Sequence, residues 1–417
     1  MSNLFMTRWF RRCVAVFLMT CMPILASCSE VDKWKSKMKF YQFDKVNPWT
    51  LNGSAYEIDR SRWGTEFVDY YGQSWFEFSD GTKSYFLPSH SVWSGGNTAM
   101  GGYGDKVPER VHMWYFDKQE QRSYLLDTEL PQEKIYQMFQ QKLPTYYGFY
   151  GYQEKQFNKL VLGVAPRGNI ILWMSSDAPR QVEVANFVAK VQEPPQDVIL
   201  TTAEREWGMS LDGRSPEDQK VILADIRNSF SLDSSQLEPE TIQKLRSGWL
   251  PSPDWYMDAR ISYPWRFKIS TNIKSSPEFE AIYINGERRM VFAPEVRATE
   301  NQAQPIPERM NVYVYDQSGK FKQVWIEFYT DNIFTQTPDT TEIRKAFKTL
   351  YPNRTVADND RSVGADEFTT LELNFSDDLT NLDMFLVKGN ERIPLNKGNY
   401  KVFDQLPFAY DKNAKGN

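Results

Sequence analysis

Apolar and polar positions alternate with period two over residues 108–117, PERVHMWYFD, and again over 307–316, PERMNVYVYD. Val111, Met113 and Tyr115 share one face of the first stretch; Met310, Val312 and Val314 share the matching face of the second. The opposite faces carry His112, Trp114 and Phe116, then Asn311, Tyr313 and Tyr315. Alternation of β-branched and aromatic residues predicts a strand covered on both sides. Pro108 and Pro307 open these strands, where a missing N–H is tolerated. Asp117 and Asp316 open polar turns, in which an Asp side chain accepts from backbone N–H groups two residues on. RSYLLDTEL and FKQVWIEFY then return as second strands, so each stretch predicts a hairpin.

The pattern changes period next. EKIYQMFQQKLP (133–144) and TEIRKAFKTLYP (341–352) align without gaps. Ile135 with Phe139, and Ile343 with Phe347, sit at i, i+4 on a helical face, and Pro144 and Pro352 end both segments. KLVLGVAPRGNIILWM, turning at Pro166-Arg167-Gly168, corresponds to TLELNFSDDLTNLDMFLV. WFEF (75–78) and WRFKI (265–269) stand upstream as candidate entry strands. Collinear blocks at slowly growing offsets predict an internal duplication. The expected fold class is α+β: two sister domains, 40–190 and 263–404, each a mainly antiparallel sheet of hairpins with one amphipathic helix. A helical connector, 191–262, joins them. In it Ser215 is an N-cap with Pro216 at the first helical position, and LEPETIQKLRSG has Pro239 near its start and Gly248 at its stop. Residues 405–417 read as a tail.

The N-terminal stretch does not fit a folded domain. Arg8, Arg11 and Arg12 precede an apolar run from Cys13 to Ala26 that is too short to span a bilayer, the pattern of a cleaved signal peptide over 1–27. Leu25-Ala26-Ser27-Cys28 resembles the bacterial lipoprotein lipobox, which implies acylation of Cys28. Ser29 in place of Asp implies the outer membrane, with the domains facing the periplasm. Residues 28–39 would be a tether reaching at most roughly 35–40 Å. The remaining chain has 46 basic and 54 acidic residues, once the three arginines of 1–27 are removed. Such an acidic body argues against nucleic-acid partners and against electrostatic binding to anionic headgroups. With the other two of the three cysteines in the leader, only the Cys28 sulfur survives, and acylation removes it from disulfide or thiolate chemistry.

Candidate chemistry is sparse. The two histidines, His90 and His112, lie 22 residues apart with no cysteine partners, which is not a zinc spacing. His112 occupies the strand's polar position, where Asn311 stands in the other stretch, and reads as structural. SGGNTAMGGYG (94–104) lacks a GK[ST] ending and no helix follows it, so a loop crossing the sheet is expected there. GMSLDG (208–213) reads as a turn, and the acidic pairs Asp358/Asp360 and Asp377/Asp378 as solvated loops. No metal, cofactor or catalytic residue is expected. YYGFYGY (146–152) remains: Tyr146, Tyr147, Phe149, Tyr150 and Tyr152 cannot all face inward, so part of this segment is expected to form a recognition surface.

The order LP…SGG…GGYG…VPERVHMWYFD…LPQEKIYQMFQ…LVLGVAPRGNIILWM resembles a bacterial, largely proteobacterial, family of lipoprotein-like domains catalogued as a domain of unknown function. Gly163, Pro166, Gly168 and Trp173 match its final G-x-x-P-x-G-x-x-x-x-W element, and the resemblance covers about residues 75–190. The second stretch departs from it, with no GG loop and with Phe385 near the Trp position. Some members look as though they sit beside type VI secretion effectors, lipases among them. The resemblance implies an immunity role: a membrane-anchored periplasmic lipoprotein that binds and occludes a secreted effector and is not an enzyme. The alternative is a structural or housekeeping envelope lipoprotein that binds lipid or peptidoglycan.

Overall fold

The computed structural model describes residues 46–55, 68–70, 74–86, 98–118, 120–147, 151–177, 180–208, 213–229, 242–243, 247, 253–292, 302–329, 340–359 and 361–405. In the first half, β1 (Trp49–Ala55), β2 (Val68–Tyr70), β3 (Ser74–Phe78), β4 (Lys83–Phe86), β5 (Thr98–Gly104), β6 (Pro108–Asp117) and β7 (Arg122–Glu129) precede helix α1 (Gln132–Phe139). After it come β8 (Leu143–Tyr147), β9 (Gly151–Lys155), β10 (Lys159–Val164), β11 (Asn169–Ser176), β12 (Arg180–Val188) and β13 (Lys190–Val191). Helices α2 (Gln196–Trp207), α3 (Pro216–Ser229) and α4 (Pro253–Asp258) lead into the second half. There β14 (Ser262–Tyr263), β15 (Trp265–Ile269), β16 (Lys274–Tyr283), β17 (Arg288–Val291), β18 (Gln304–Pro305), β19 (Pro307–Tyr315) and β20 (Phe321–Glu327) precede α5 (Thr341–Leu350). Strands β21 (Thr369–Phe375), β22 (Leu382–Lys388), β23 (Glu391–Leu395) and β24 (Asn399–Asp404) follow. The class is α+β, with sheets built largely of antiparallel hairpins.

The two halves use the same connections. In the first, hairpin β3–β4 sets β3 antiparallel to β6, and β6 turns into β7. In the second, hairpin β16–β17 sets β16 antiparallel to β19, and β19 turns into β20. Both ladders slip opposite the strand-opening proline, at Glu77/Phe78 against Pro108 and at Ile282/Tyr283 against Pro307, and the second slips once more between Ser275 and Phe279. A proline has no N–H to offer, so a ladder that reaches it is interrupted there. After each central helix, β10 lies parallel to β1, and β21 lies parallel to β15.

This pairing corrects the expected entry strands. WRFKI is β15, but its counterpart is β1, whereas WFEF lies in β3 and answers to β16. Trp49 and Trp265 carry the correspondence. The Trp49 indole N–H donates to the Lys106 carbonyl at 2.8 Å, and that of Trp265 donates to the Pro305 carbonyl at 3.0 Å, in each case two residues before the strand-opening proline. Each ring lies on its central helix, 6.5 Å from Phe139 and 6.3 Å from Phe347 between centroids. WTLNGSA turns small and polar after Leu51, so its alternation is weak. The expected crossing loop is corrected as well. Residues 98–104 form β5, antiparallel to β1. Glycines hide the side-chain alternation while leaving the backbone ladder available. A Cβ on Gly104 would lie 2.9 Å from Trp49 Cζ2, so glycine lets β5 approach that ring.

One six-stranded sheet runs β13–β7–β6–β3–β4 with β2 beside β6, and a four-stranded sheet runs β15–β21–β22–β23. A ten-stranded sheet runs β24–β20–β19–β16–β17–β12–β11–β10–β1–β5 and so contains strands of both halves. Two cores result. Ile135 and Phe139 of α1 pack with Phe76, Val111 and Met113 from the six-stranded sheet and Leu51, Leu160 and Leu172 from the ten-stranded one. Ile343, Ala346 and Phe347 of α5 pack with Met310 and Val312 on one side and Leu371, Leu373 and Leu386 on the other. Each large apolar side chain so buried contributes about 1.5–3 kcal/mol before conformational entropy is subtracted.

The connector is docked. Val198, Ile199 and Ala203 of α2 and Ile222 and Ile226 of α3 cover Trp114 on the outer face of β6, with Phe116 and Leu125 packed alongside. α3 begins on a reciprocal cap: the Ser215 hydroxyl accepts from the Asp218 N–H at 3.1 Å, and the Ser215 N–H donates to the Asp218 carboxylate at 3.3 Å. The halves meet where β12 touches β17, through the pair Gln181↔Arg288. Gln181 Nε2 donates to the Gly286 carbonyl at 2.7 Å, the Glu183 N–H donates to Glu287 Oε1 at 2.8 Å, and Arg260 grips the Glu183 carboxylate with its nearest contact at 2.5 Å.

Candidate functional site

The outer face of the six-stranded sheet is divided into cross-strand rows, because residues in register point to one side. The row containing Leu125 and Trp114 lies under the connector helices. The next row reads Asp127, His112, Trp75, Tyr85 across β7, β6, β3 and β4. The row after that reads Glu129, Arg110, Glu77, Lys83, with alternating charge. Four strands at the usual spacing give this platform a width of ~14 Å.

Its centre is a stack. The His112 imidazole lies 3.9 Å from the Trp75 ring, at an interplanar angle of 13°. Tyr85, 63% exposed, lies 6.0 Å away on the other neighbouring strand, and Lys83 Nζ sits 4.2 Å from the Trp75 centroid. The Arg110 guanidinium donates to Asp127 Oδ1 at 2.6 Å, and that oxygen is 3.6 Å from His112 Nδ1. Burial pushes the His112 pKa down; Asp127 opposes the shift in part, and Lys83 and Arg110 add to it. The imidazole is therefore neutral at pH 7. Asp127 is held below the ordinary carboxylate range, chiefly by its hydrogen bond from Arg110. A flat aromatic row flanked by charged side chains offers stacking area and peripheral hydrogen bonds, which is the chemistry of interface anchors. Sequence reading passed over this site and assigned His112 a structural role. The signal was present in alternation: Trp75 and Glu77 fall opposite the core residues Phe76 and Phe78, and Lys83 and Tyr85 fall opposite Phe86.

Of the expected recognition segment, Tyr146, Tyr147 and Tyr152 lie on a separate two-stranded hairpin, β8–β9, in which Tyr146 faces Tyr152 and Tyr147 faces Gly151. Their side chains, and Phe149, Tyr150, His90 and Cys28 entirely, lie outside the described residues. The G-x-x-P-x-G-x-x-x-x-W element is a packed hairpin. A Cβ on Gly163 would fall 2.1 Å from Trp173 Cζ3, so the glycine makes room for the indole on the next strand. Gly168 turns at φ +77°, where a Cβ would also meet the Ala189 carbonyl at 2.7 Å. Two of the acidic loop residues do turn work: Asp358 accepts from the Thr355 N–H at 2.9 Å, and Asp378 from the Thr380 N–H at 3.1 Å. Among the described residues no cluster of three or more His, Cys, Asp or Glu side chains is placed to hold a metal ion, and no helix is long and apolar enough to cross a membrane.

A family model described as a protein of unknown function (DUF2931) matches residues 16–221. No curated protein and no solved structure matches the chain.

Proposed function

We propose, from the premise that the chain belongs through residues 16–221 to the DUF2931 family, that it is a lipid-anchored periplasmic protein-binding module. Its partner in this reading is a secreted effector of the lipase class, occluded by contact and not by turnover. The supporting observation is the row His112–Trp75–Tyr85, partly buried at His112 and 63% exposed at Tyr85, beside a row of the same sheet face that the protein's own helices cover. One part of the face is thus satisfied internally, and the neighbouring part carries aromatic anchors with no core to fill. The lipobox at Cys28 supplies an address, and the short tether keeps the module near its membrane. The same reading takes the second half as a diverged copy of the first, supported by the shared pairings, the shared ladder slips and the Trp49/Trp265 contacts.

The test is co-expression in the periplasm with a secreted effector of the lipase class, scored by survival and by co-purification. Tyr85→Ala and Trp75→Ala should weaken capture by about 1–3 kcal/mol each, some ten- to hundred-fold in Kd. Tyr147→Ala and Tyr150→Ala should act in the same direction if the β8–β9 hairpin shares the interface. Capture unchanged in all four variants, with protection intact, refutes the reading. Co-purification of muropeptide or lipid with no protein partner would favour a housekeeping envelope role.

A further inference from the structure

The joint between the halves encloses a polar cleft that the proposed partner surface does not use. Its larger chamber, about 640 Å³, is walled by Lys134 of α1 and Glu183 of β12 from the first half, and by Arg260, Glu287 and Asn359 from the second. A smaller chamber of about 240 Å³ adds Arg180, Tyr283, Arg289 and Gln304. The chambers share Ser262, Glu287, Gln302 and Ala303, so they lie side by side.

The charge in this cleft runs against that of the chain. The sequence has a formal net charge of −5, yet the cleft is lined by six arginines or lysines and two glutamates, with one of the six, Arg361, paired to Glu367 at 2.6 Å. Glu183 is consumed by Arg260, whose Nε and Nη2 reach its two oxygens at 2.5–3.0 Å. Glu287 accepts from the Glu183 N–H, and burial together with the nearby Glu183 carboxylate raises its pKa, which lowers its capacity to neutralise a cation. Lys134 Nζ donates to the neutral Val184 carbonyl at 2.6 Å, so its charge is not cancelled by that bond. Arg289 Nε is buried with no hydrogen-bond partner among the described residues. A buried charged donor without an acceptor is costly, and an oxyanion entering the cleft would supply one.

We infer that the cleft between the two halves binds a small polar organic anion, with Arg289 receiving its carboxylate or phosphate group in the smaller chamber and Lys134 adding positive charge in the larger one. Asn285 and Gln302 offer amide groups that would meet hydroxyls or amides on the same molecule, whereas the Asn359 amide is held by the Ser262 N–H and the Arg260 carbonyl. Guanidinium forks suit both oxyanion classes. Because the walls belong to both halves, the ligand would also brace a joint that the β-ladder makes through one residue pair.

The experiment uses the full-length acylated protein in detergent, titrated with inorganic phosphate or with citrate against sodium chloride at matched ionic strength. Binding is read by calorimetry and by melting temperature. A saturable heat and a rise in melting temperature with either oxyanion support the site, and the stronger of the two identifies the preferred group. Arg289→Gln should weaken binding at least ten-fold, Arg289→Lys less, and Arg309→Gln, outside the cleft lining, not at all. If Arg289→Gln fails to fold, Lys134→Met with the same titration replaces it. Absence of saturable binding in the wild type, or equal binding by the cleft variants and Arg309→Gln, overturns the inference. The result is independent of whether Trp75 or Tyr85 captures a protein.

Discussion

Gly163→Ala tests the packing logic of the first half at one atom. The new methyl would stand 2.1 Å from Trp173 Cζ3 and 2.4 Å from Cη2, on an indole with no solvent exposure. Optimal carbon contacts lie near ~3.6 Å, so the overlap is about 1.5 Å, and a ring buried in two packed strands has no free direction in which to yield. Overpacking of this kind costs about 1–3 kcal/mol, and replacing glycine in a strand returns about 0.5–1 kcal/mol of backbone entropy. The expected net loss is about 1–2 kcal/mol, read as a lower urea midpoint with an unchanged m-value. The second half shows how the clash can be relieved. Asn374 occupies the place of Gly163, and Phe385, opposite Glu372, occupies the place of Trp173. Trp173→Phe should therefore rescue Gly163→Ala, with a favourable coupling of about 1 kcal/mol in the double-mutant cycle. A neutral Gly163→Ala, or additive effects in the double variant, would show that the indole and the glycine do not constrain each other.

Other outcomes follow from single contacts. Cys28→Ser should abolish incorporation of labelled palmitate and leave an unprocessed precursor; unchanged labelling would place any acylation elsewhere and remove Cys28 as the anchor, and no labelling of the wild type would remove the lipid anchor altogether. Ser215→Ala should cost about 1 kcal/mol by breaking the reciprocal cap on α3, seen as faster amide exchange in α3. The folded-state pKa of His112 lies below its ordinary 6.5, so the stability that depends on its neutral ring is fully present above that value and is lost as pH falls below it. His112→Gln should flatten the fall in melting temperature between about pH 6.5 and pH 5. Glu287 has the opposite sign: its raised pKa makes its contribution greatest below the ordinary carboxylate value and progressively lost as pH rises. Glu287→Gln should accordingly reduce the loss of stability on the way up to neutral pH.

The strands and helices that the sequence made legible are those in which every residue has a side chain to report. PERVHMWYFD is legible because Val111, Met113 and Tyr115 fill the core on one face while Trp114 packs under the connector helices on the other, and TEIRKAFKTL shows its stripe because Ile343, Ala346, Phe347 and Leu350 all face one core. Where side chains are small the signal disappears. WTLNGSA and TAMGGYG pair through their backbones, and nothing in residue type announces that β1 runs parallel to β10, more than 100 positions away. Sheet membership was equally silent, since a hairpin looks the same whether its edge is solvated or joined to another half through Gln181 and Arg288. The platform was divided among segments: Trp75, Tyr85, His112 and Asp127 come from four strands, and register alone makes them neighbours.

The equivalent row in the second half sharpens the functional argument. Across β20, β19, β16 and β17 it reads Trp325, Asn311, Glu280, Met290. Asn311 Nδ2 donates to Glu280 at 2.8 Å where His112 stacks on Trp75, and Arg309 covers the Trp325 ring at 4.4 Å. The stack has been replaced by an amide–carboxylate pair, and the exposed Tyr85 by Met290, 9% exposed. Two halves with one topology therefore present different chemistry on the same face. A partner recognising stacked aromatics would engage the first half alone, and the second half would contribute through the shared sheet and the cationic cleft. Transplanting the first-half row should separate these roles. Glu280→Trp with Asn311→His and Met290→Tyr rebuilds the row on the second half, and a second, independent binding event for the same partner would establish that the row itself carries recognition. Wild-type stoichiometry in a variant that folds would mean that recognition also requires elements found only in the first half, such as the β8–β9 hairpin.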